Sequence, residues 1–234
     1  MRLVQVKSGF ARLLVAAIVI SGSVSGAVII AQEAGKDKLV YADFETVKDG
    51  HPVSNRGGAV RLFTYQERPT APSRYKGAGD SNVPELVRLS KDNPNRAIAF
   101  DYELQGPNQY AGVGVEIVAQ EEKDGKLVPL DVSQYKYLTL QLYATGTQSV
   151  RVEFLSRGQG IDTSGYPQMT FRVQPGFNTY RVPLKSLAQP SWVEEKVSTK
   201  SVLQKLTSIN IVVSCENCVP TKGSVVIDNL VFQN

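Results

Sequence analysis

Three neighbouring stretches of the chain carry side chains that could do chemistry together. In the first, Thr139, Gln141 and Tyr143 alternate with Leu138, Leu140 and Leu142; in the second, Arg151 and Glu153 alternate with Val150, Val152 and Phe154. The third sets Thr170 and Arg172 between Met169, Phe171 and Val173. A tyrosine offers a flat apolar ring with a polar tip, and Arg, Glu and Gln offer planar groups that hydrogen-bond two atoms at once. A ligand with apolar C–H faces edged by hydroxyls, as a sugar has, requires both kinds of group. If the three stretches are adjacent strands of one sheet, they form a polar floor with Tyr143 as a stacking surface. The alternative is a plain solvated sheet face, in which Arg151 and Glu153 only pair with cross-strand neighbours. The loop from Arg157 to Tyr166 holds three glycines, Asp162 and Tyr166, a composition suited to a cleft rim. Tyr65, Tyr75, Tyr110 and Trp192 are further stacking candidates, with core or rim packing as the alternative for each.

Other chemistries find less material. His51 is the only imidazole and follows Gly50, so Ser-His or Cys-His catalysis has a single candidate base. Glycoside hydrolysis needs two carboxylates about 5 to 9.5 Å apart. Glu116, Glu153, Asp101 and Glu103 could supply such a pair, but sequence gives no separation. No phosphate-cradling glycine loop or histidine metal cluster is present. Cys215 and Cys218 form a C-x-x-C pair with strand-like residues on both sides, which fits a short-loop disulfide better than a thioredoxin-type site at a strand-to-helix junction.

The elements that must position these groups are strands. Period-2 alternation dominates from residue 39 onward, as in Ile98/Phe100/Tyr102/Leu104, Val113/Val115/Ile117, Tyr180/Val182/Leu184, Ile209/Ile211/Val213 and Val225/Ile227/Val231. With Leu39 to Glu45, Ala59 to Gln66 and the three stretches above, about ten strands result. Turn signals such as Thr145-Gly146, Pro175-Gly176 and Lys222-Gly223 separate them. Helical stretches are limited to Leu184 to Ala188 and Thr199 to Leu206. The expectation is an all-β fold, a jelly-roll β-sandwich of about ten antiparallel strands forming one domain over residues 35–234. One long connection, Arg68 to Arg96, carries four prolines and also Tyr75, with only Leu86 to Ser90 strand-like, and a loop of that length inside a domain is usually functional or disordered.

Residues 1–34 read as an export segment. Arg2, Lys7 and Arg12 precede an apolar run from Leu13 to Ile20, and small residues follow, with Ser25-Gly26-Ala27 fitting a cleavage site. The alternative is an uncleaved membrane anchor helix, because Leu13 to Ala31 carries no charge and approaches the roughly 20 residues that span a bilayer. Both readings place the remainder outside the cytoplasm, whether secreted, periplasmic or membrane-anchored, with the membrane touched only through this segment. The net charge of +4 shrinks to near neutrality without those three cations, and no Lys/Arg stripe remains of the kind nucleic-acid binding needs.

Five segments, taken in order, resemble a known family. They are Asp43-Phe44-Glu45 closing the first strand, the strand from Tyr110 to Val115, Leu130 to Leu138, Phe177 to Leu184, and the last strand from Val225 to Leu230. Their order and spacing are similar to the galactose-binding-like jelly rolls, specifically the family 11 carbohydrate-binding modules, with Phe177 where many relatives carry Trp. The resemblance implies a module without catalysis that receives an oligo- or polysaccharide in a shallow cleft on one sheet. It also implies a structural Ca2+ elsewhere: the first and last strands of that fold meet, which would bring Glu45 and Asp43 near Asp228. An envelope-assembly module and a jelly-roll glycosidase or lyase on the same fold remain the alternatives.

Overall fold

Alternating apolar residues make a strand with one face to bury, and two sheets built from such strands stabilise each other by stacking those faces. The computed structural model describes residues 37–65, 73–79, 81–92, 94–118, 128–161, 163–215 and 221–234, and shows this arrangement. Among the described residues there are fourteen strands: β1 (Lys38–Ala42), β2 (Val47–Lys48), β3 (His51–Pro52), β4 (Val60–Tyr65), β5 (Arg74–Lys76), β6 (Glu85–Arg88), β7 (Arg96–Leu104), β8 (Gln109–Glu116), β9 (Tyr137–Ala144), β10 (Ser149–Leu155), β11 (Gln168–Arg172), β12 (Asn178–Pro183), β13 (Ser208–Cys215) and β14 (Thr221–Gln233). Each of the ten expected strands is present. The additions are the short β2–β3 hairpin and β5 inside the long connection, where β6 falls on the strand-like stretch from Leu86 to Ser90.

Seven strands form one sheet in the order β12-β9-β14-β7-β5, with β1 also on β14 and β6 also on β7. Five form the other, in the order β11-β10-β13-β8-β4. All the pairings between these strands are antiparallel. The inner faces meet as expected: Ile98, Phe100, Leu138, Leu140, Leu142, Val225 and Ile227 from the first sheet, Val113, Val115, Val150, Val152, Ile209 and Ile211 from the second, all buried in one core. Each such side chain contributes about 1.5–3 kcal/mol relative to exposure. Phe232 of β14 bridges the two layers by packing edge-on against Phe154 of β10 with ring centres 6.4 Å apart, and it meets Tyr41 of its own sheet edge-on at 5.8 Å. Tyr41 also donates its hydroxyl to the Val115 carbonyl across the sandwich, and burial pushes its phenol well up.

The connection between β9 and β10 decides which residues can share a site. At Thr145 and Gly146 the chain leaves the seven-stranded sheet for the five-stranded one. The Tyr102 hydroxyl donates to the Thr145 carbonyl at 2.6 Å, Thr221 donates its hydroxyl to the Gly146 carbonyl at 2.8 Å, and Gly146 has φ +73°. A Cβ there would lie 2.2 Å from the Lys222 carbonyl oxygen, so the turn requires glycine.

The two helical stretches appear as a 3-10 turn (Leu184–Ser186) and α1 (Thr199–Gln204), the latter capped by Ser198 and burying Val202 and Leu203. Among the described residues no helix is long and apolar enough to cross a membrane. The export segment, residues 1–34, lies outside the described residues, as do Asp162, Cys218 and the side chain of Cys215.

Candidate functional site

With the apolar residues of the five-stranded sheet turned inward, its other face is left to polar and aromatic side chains. Register aligns them in rows across the strands. One row runs Arg61, Gly114, Asn210, Glu153, Gln168 from β4 to β11, and the next runs Phe63, Gly112, Val212, Arg151, Thr170. A third contains Tyr65, Tyr110 and Ser214. Gly112 and Gly114 lower the floor in the middle of β8, where the Phe63 ring lies over them: a Cβ on Gly112 would stand 3.1 Å from its Cζ. The result is a groove of about 1230 Å³.

Aromatic rings form one end of it. Tyr65 and Tyr110 stack with centres 4.9 Å apart and planes 13° from parallel, Phe63 meets Tyr110 edge-on at 6.3 Å, and Tyr65 remains 45% exposed. A polar centre adjoins them. Arg151 Nε donates to Glu153 Oε1 at 2.7 Å, Asn210 Nδ2 donates to Glu153 Oε2 at 3.2 Å, and the guanidinium lies 5.4 Å from the Tyr110 ring centre. Burial, together with the Glu153 carboxylate, holds the Tyr110 phenol above its ordinary value, so it remains a neutral hydroxyl. Arg61, Arg157 and Glu116 also line the groove, and the loop residues Thr163 to Tyr166 and Pro190 to Trp192 make its far wall. Stacking surface, ion-paired planar groups and an open wall are together suited to a ligand with flat faces and hydroxyl edges.

The sequence-derived candidates divide between the two sheets. Arg151, Glu153 and Tyr166 come together in the groove, and Arg172 lies on the same face beyond its lining. Tyr143 and Gln141 do not join them. They lie on β9, whose neighbours are β12 and β14, and face outward from the opposite side of the sandwich. The expected common floor is therefore corrected: chain neighbours β9 and β10 are not sheet neighbours, and outward residues on opposite layers point apart. Tyr75 is also elsewhere, lining a shallower depression of about 510 Å³ with Arg74, Asp101 and Glu103 on the seven-stranded sheet. Gln141 instead accepts from Asn229 Nδ2 at 3.1 Å. Asn210, Arg61 and Phe63 are groove residues that sequence reasoning passed over, although each stands out of phase with the apolar residues of its strand.

The acidic residues named for a metal do converge. β1 pairs with β14, and irregular register at Val40/Ala42 and Asp228/Val231, with positive φ at Phe44 and Asn229, turns their side chains toward one region. Burial raises the Asp228 carboxyl to about 6 and the nearby charges of Glu45 and Asp43 add to this, while hydrogen bonds from Asn95 and Asn229 oppose it. Asp228 Oδ1 accepts from the Asn229 amide at 2.7 Å, and its Oδ2 accepts from Asn95 Nδ2 at 2.7 Å. Asp43 accepts from Asn55, and Glu45 from the Arg96 amide. The donor set is chemically suited to a hard cation. Its oxygens are engaged by amides, however, and among the described residues no group of three or more His, Cys, Asp or Glu is placed to hold a metal ion.

The chain is a two-layer antiparallel β-sandwich with an aromatic, ion-paired groove on the outer face of one sheet, a fold it shares with solved carbohydrate-binding modules. The chain is similar to the family 11 carbohydrate-binding module from Clostridium thermocellum in complex with a β-1,3-1,4-mixed-linked tetrasaccharide, at 13% identity over 86% of this chain and 98% of that one, with a TM-score of 0.51. It is also similar to the family 11 module of the cellulosomal cellulase Lic26A-Cel5E of the same organism, at 14% identity over 86% and 95% of the two chains, again with a TM-score of 0.51. No family model and no curated protein matches the sequence.

Proposed function

We propose that this protein is a non-catalytic module that binds an oligo- or polysaccharide in the groove of its five-stranded sheet, outside the cytoplasm. The observation that carries the reading is the stacked Tyr65–Tyr110 pair set directly beside the Arg151–Glu153 ion pair in one groove. A flat apolar platform next to a planar hydrogen-bonding pair matches the two-sided chemistry of a sugar ring better than that of an apolar protein surface. The similar module solved with a β-1,3-1,4-mixed-linked tetrasaccharide makes that glucan the first ligand to try.

The non-catalytic reading is supported by how the groove carboxylate Glu153 is engaged. Both carboxylate oxygens of Glu153 are engaged, one by Arg151 Nε and the other by Asn210 Nδ2, which suits a residue that orients a planar binding group. Calcium belongs to the same proposal: Asp43, Glu45 and Asp228 would hold it once the amide donors turn aside, and it would neutralise their mutual repulsion and pin the first strand to the last.

Affinity electrophoresis against a panel of soluble polysaccharides, beginning with mixed-linkage β-glucan, tests the reading. Retardation by at least one member without release of reducing ends is the expected result. Free migration through every gel would remove the saccharide reading.

A further inference from the structure

Trp192 is the only tryptophan in the chain and is 64% exposed. An indole normally buries most of its area, so one left facing solvent in a groove invites a reason. It is not carried on a loose segment. Ala188 exchanges backbone hydrogen bonds with Gln168 of β11 at 2.9 and 3.2 Å. Gln189 then clips two loops together: its Nε2 donates to Thr163 Oγ1 at 2.9 Å and to the Gly165 carbonyl at 2.6 Å, and its Oε1 accepts from the Val197 amide at 2.7 Å. Val193, next to the indole, is buried and anchors the turn. The ring itself rests on Gly165, where an added Cβ would lie 3.0 Å from Trp192 Cη2 and 2.8 Å from Val193 Cγ2. The wall thus packs the indole against a glycine, where a larger residue would push the ring aside.

Tyr65 sits on β4, the outermost strand on one side, and Trp192 follows the segment bridged to β11, the outermost strand on the other. Four strand spacings of about 4.8 Å separate those edges, roughly 19 Å. Both rings line one groove, with Arg151, Glu153 and Asn210 between them.

We infer that Trp192 is a second sugar-stacking surface, positioned by Gly165 and Gln189, and that the groove consequently grips a glycan chain of several rings rather than a single sugar. This rests on the saccharide reading of the groove, and it adds which residue forms the second platform and what length of ligand is recognised.

Because Trp192 is unique, intrinsic fluorescence reports on this position alone. The polysaccharide that retards the wild-type protein supplies an oligosaccharide series of two to six rings for titration. The expected outcome is a blue-shifted emission at saturation, with affinity that climbs along the series. Trp192→Ala should weaken binding of the longest member roughly tenfold while barely affecting the disaccharide, and Trp192→Tyr should recover most of the loss. Gly165→Val, which displaces the ring, should behave like Trp192→Ala with an unchanged circular dichroism spectrum. Normal retardation of Trp192→Ala together with unmoved emission of the saturated wild-type protein would overturn this inference and leave the groove reading standing. Absence of retardation of the wild-type protein by any polysaccharide would instead remove both.

Discussion

The Arg151 guanidinium is held from two directions, by the Glu153 carboxylate at 2.7 Å and by the Tyr110 ring, whose centre is 5.4 Å away. Tyr110 therefore has one face toward Tyr65 and the other toward a cation, which leaves the outer face of Tyr65 as the free stacking surface at this end of the groove. Tyr110 acts chiefly as a spacer that fixes where the platform ends and the polar centre begins.

That division of labour separates two tyrosines by experiment. Tyr65→Ala should weaken retardation by the cognate polysaccharide by up to about tenfold, the size of one lost ring contact. Tyr143→Ala, on the outer face of the other sheet, should migrate like the wild-type protein. Affinity electrophoresis of both variants checks this, and equal behaviour of the two would relocate the site.

Arg151→Lys should not substitute for the arginine, because an ammonium cannot offer a planar fork to Glu153 and a ligand hydroxyl together or lie flat against Tyr110. The expected result is a loss of binding comparable with that of Arg151→Ala. Thermal unfolding should move little, since the pair is partly exposed, at 16% and 19% of side-chain area, and such pairs contribute about 1 kcal/mol or less. Isothermal titration and a melting curve of each variant measure the two effects separately.

Gly114 gives the groove its depth. In Gly114→Val the new side chain would fill the floor beside Asn210, whose Oδ1 would lie 3.1 Å from the added Cβ. Binding should fall well below that of the wild-type protein while the fold persists, because a strand interior favours valine over glycine. Retained affinity at wild-type strength would show that ligand does not reach the floor.

Asp228 makes stability depend on pH in an identifiable sense. Its carboxyl is raised from 3.8 to about 6 by burial first, with Glu45 and Asp43 contributing. The folded chain therefore holds this proton more tightly than the unfolded chain. The associated stability is complete below about pH 4 and is lost as pH rises through about 6. Melting temperatures measured across that range in the presence of a chelator should decline upward in pH, and Glu45→Gln should flatten part of the decline while its Oε1 still accepts from Arg96. A slope identical in the two proteins would dissociate Glu45 from Asp228.

Calcium, if it occupies this region, acts in the opposite direction near neutral pH. Adding it to chelator-treated protein at pH 7 should raise the melting temperature, and Asp228→Ala should abolish the rise. An unchanged melting curve would remove the ion from the account.

The strands were legible because alternation is a local property. Leu138, Leu140 and Leu142 announce a buried face without any knowledge of their partners, and so do Ile209, Ile211 and Val213. Which strand lies beside which is a property of connections, and the turn at Thr145-Gly146 looks the same in sequence whether it closes a hairpin or passes between layers. This is why alternation puts Arg151 and Glu153 on one face of β10, while nothing local to β9 shows that Tyr143 belongs to the other layer. Asn210 escaped notice for a related reason: one amide in an apolar strand gains meaning only when register puts it opposite Glu153. The convergence of Asp43 and Glu45 on Asp228 was accessible only through the family resemblance, since 183 residues of chain separate Glu45 from Asp228 and no local pattern connects them.

Lys38 is paired with Gln233 in the ladder between β1 and β14, and the Asn234 amide donates to the Asp37 carbonyl at 3.1 Å. The sandwich is thus entered and left side by side, through the layer that lacks the groove. A tag, bead or fused partner attached at either of those points would be borne on the back of the module, and immobilisation through them should leave the ligand-facing layer open to long polymers in solution.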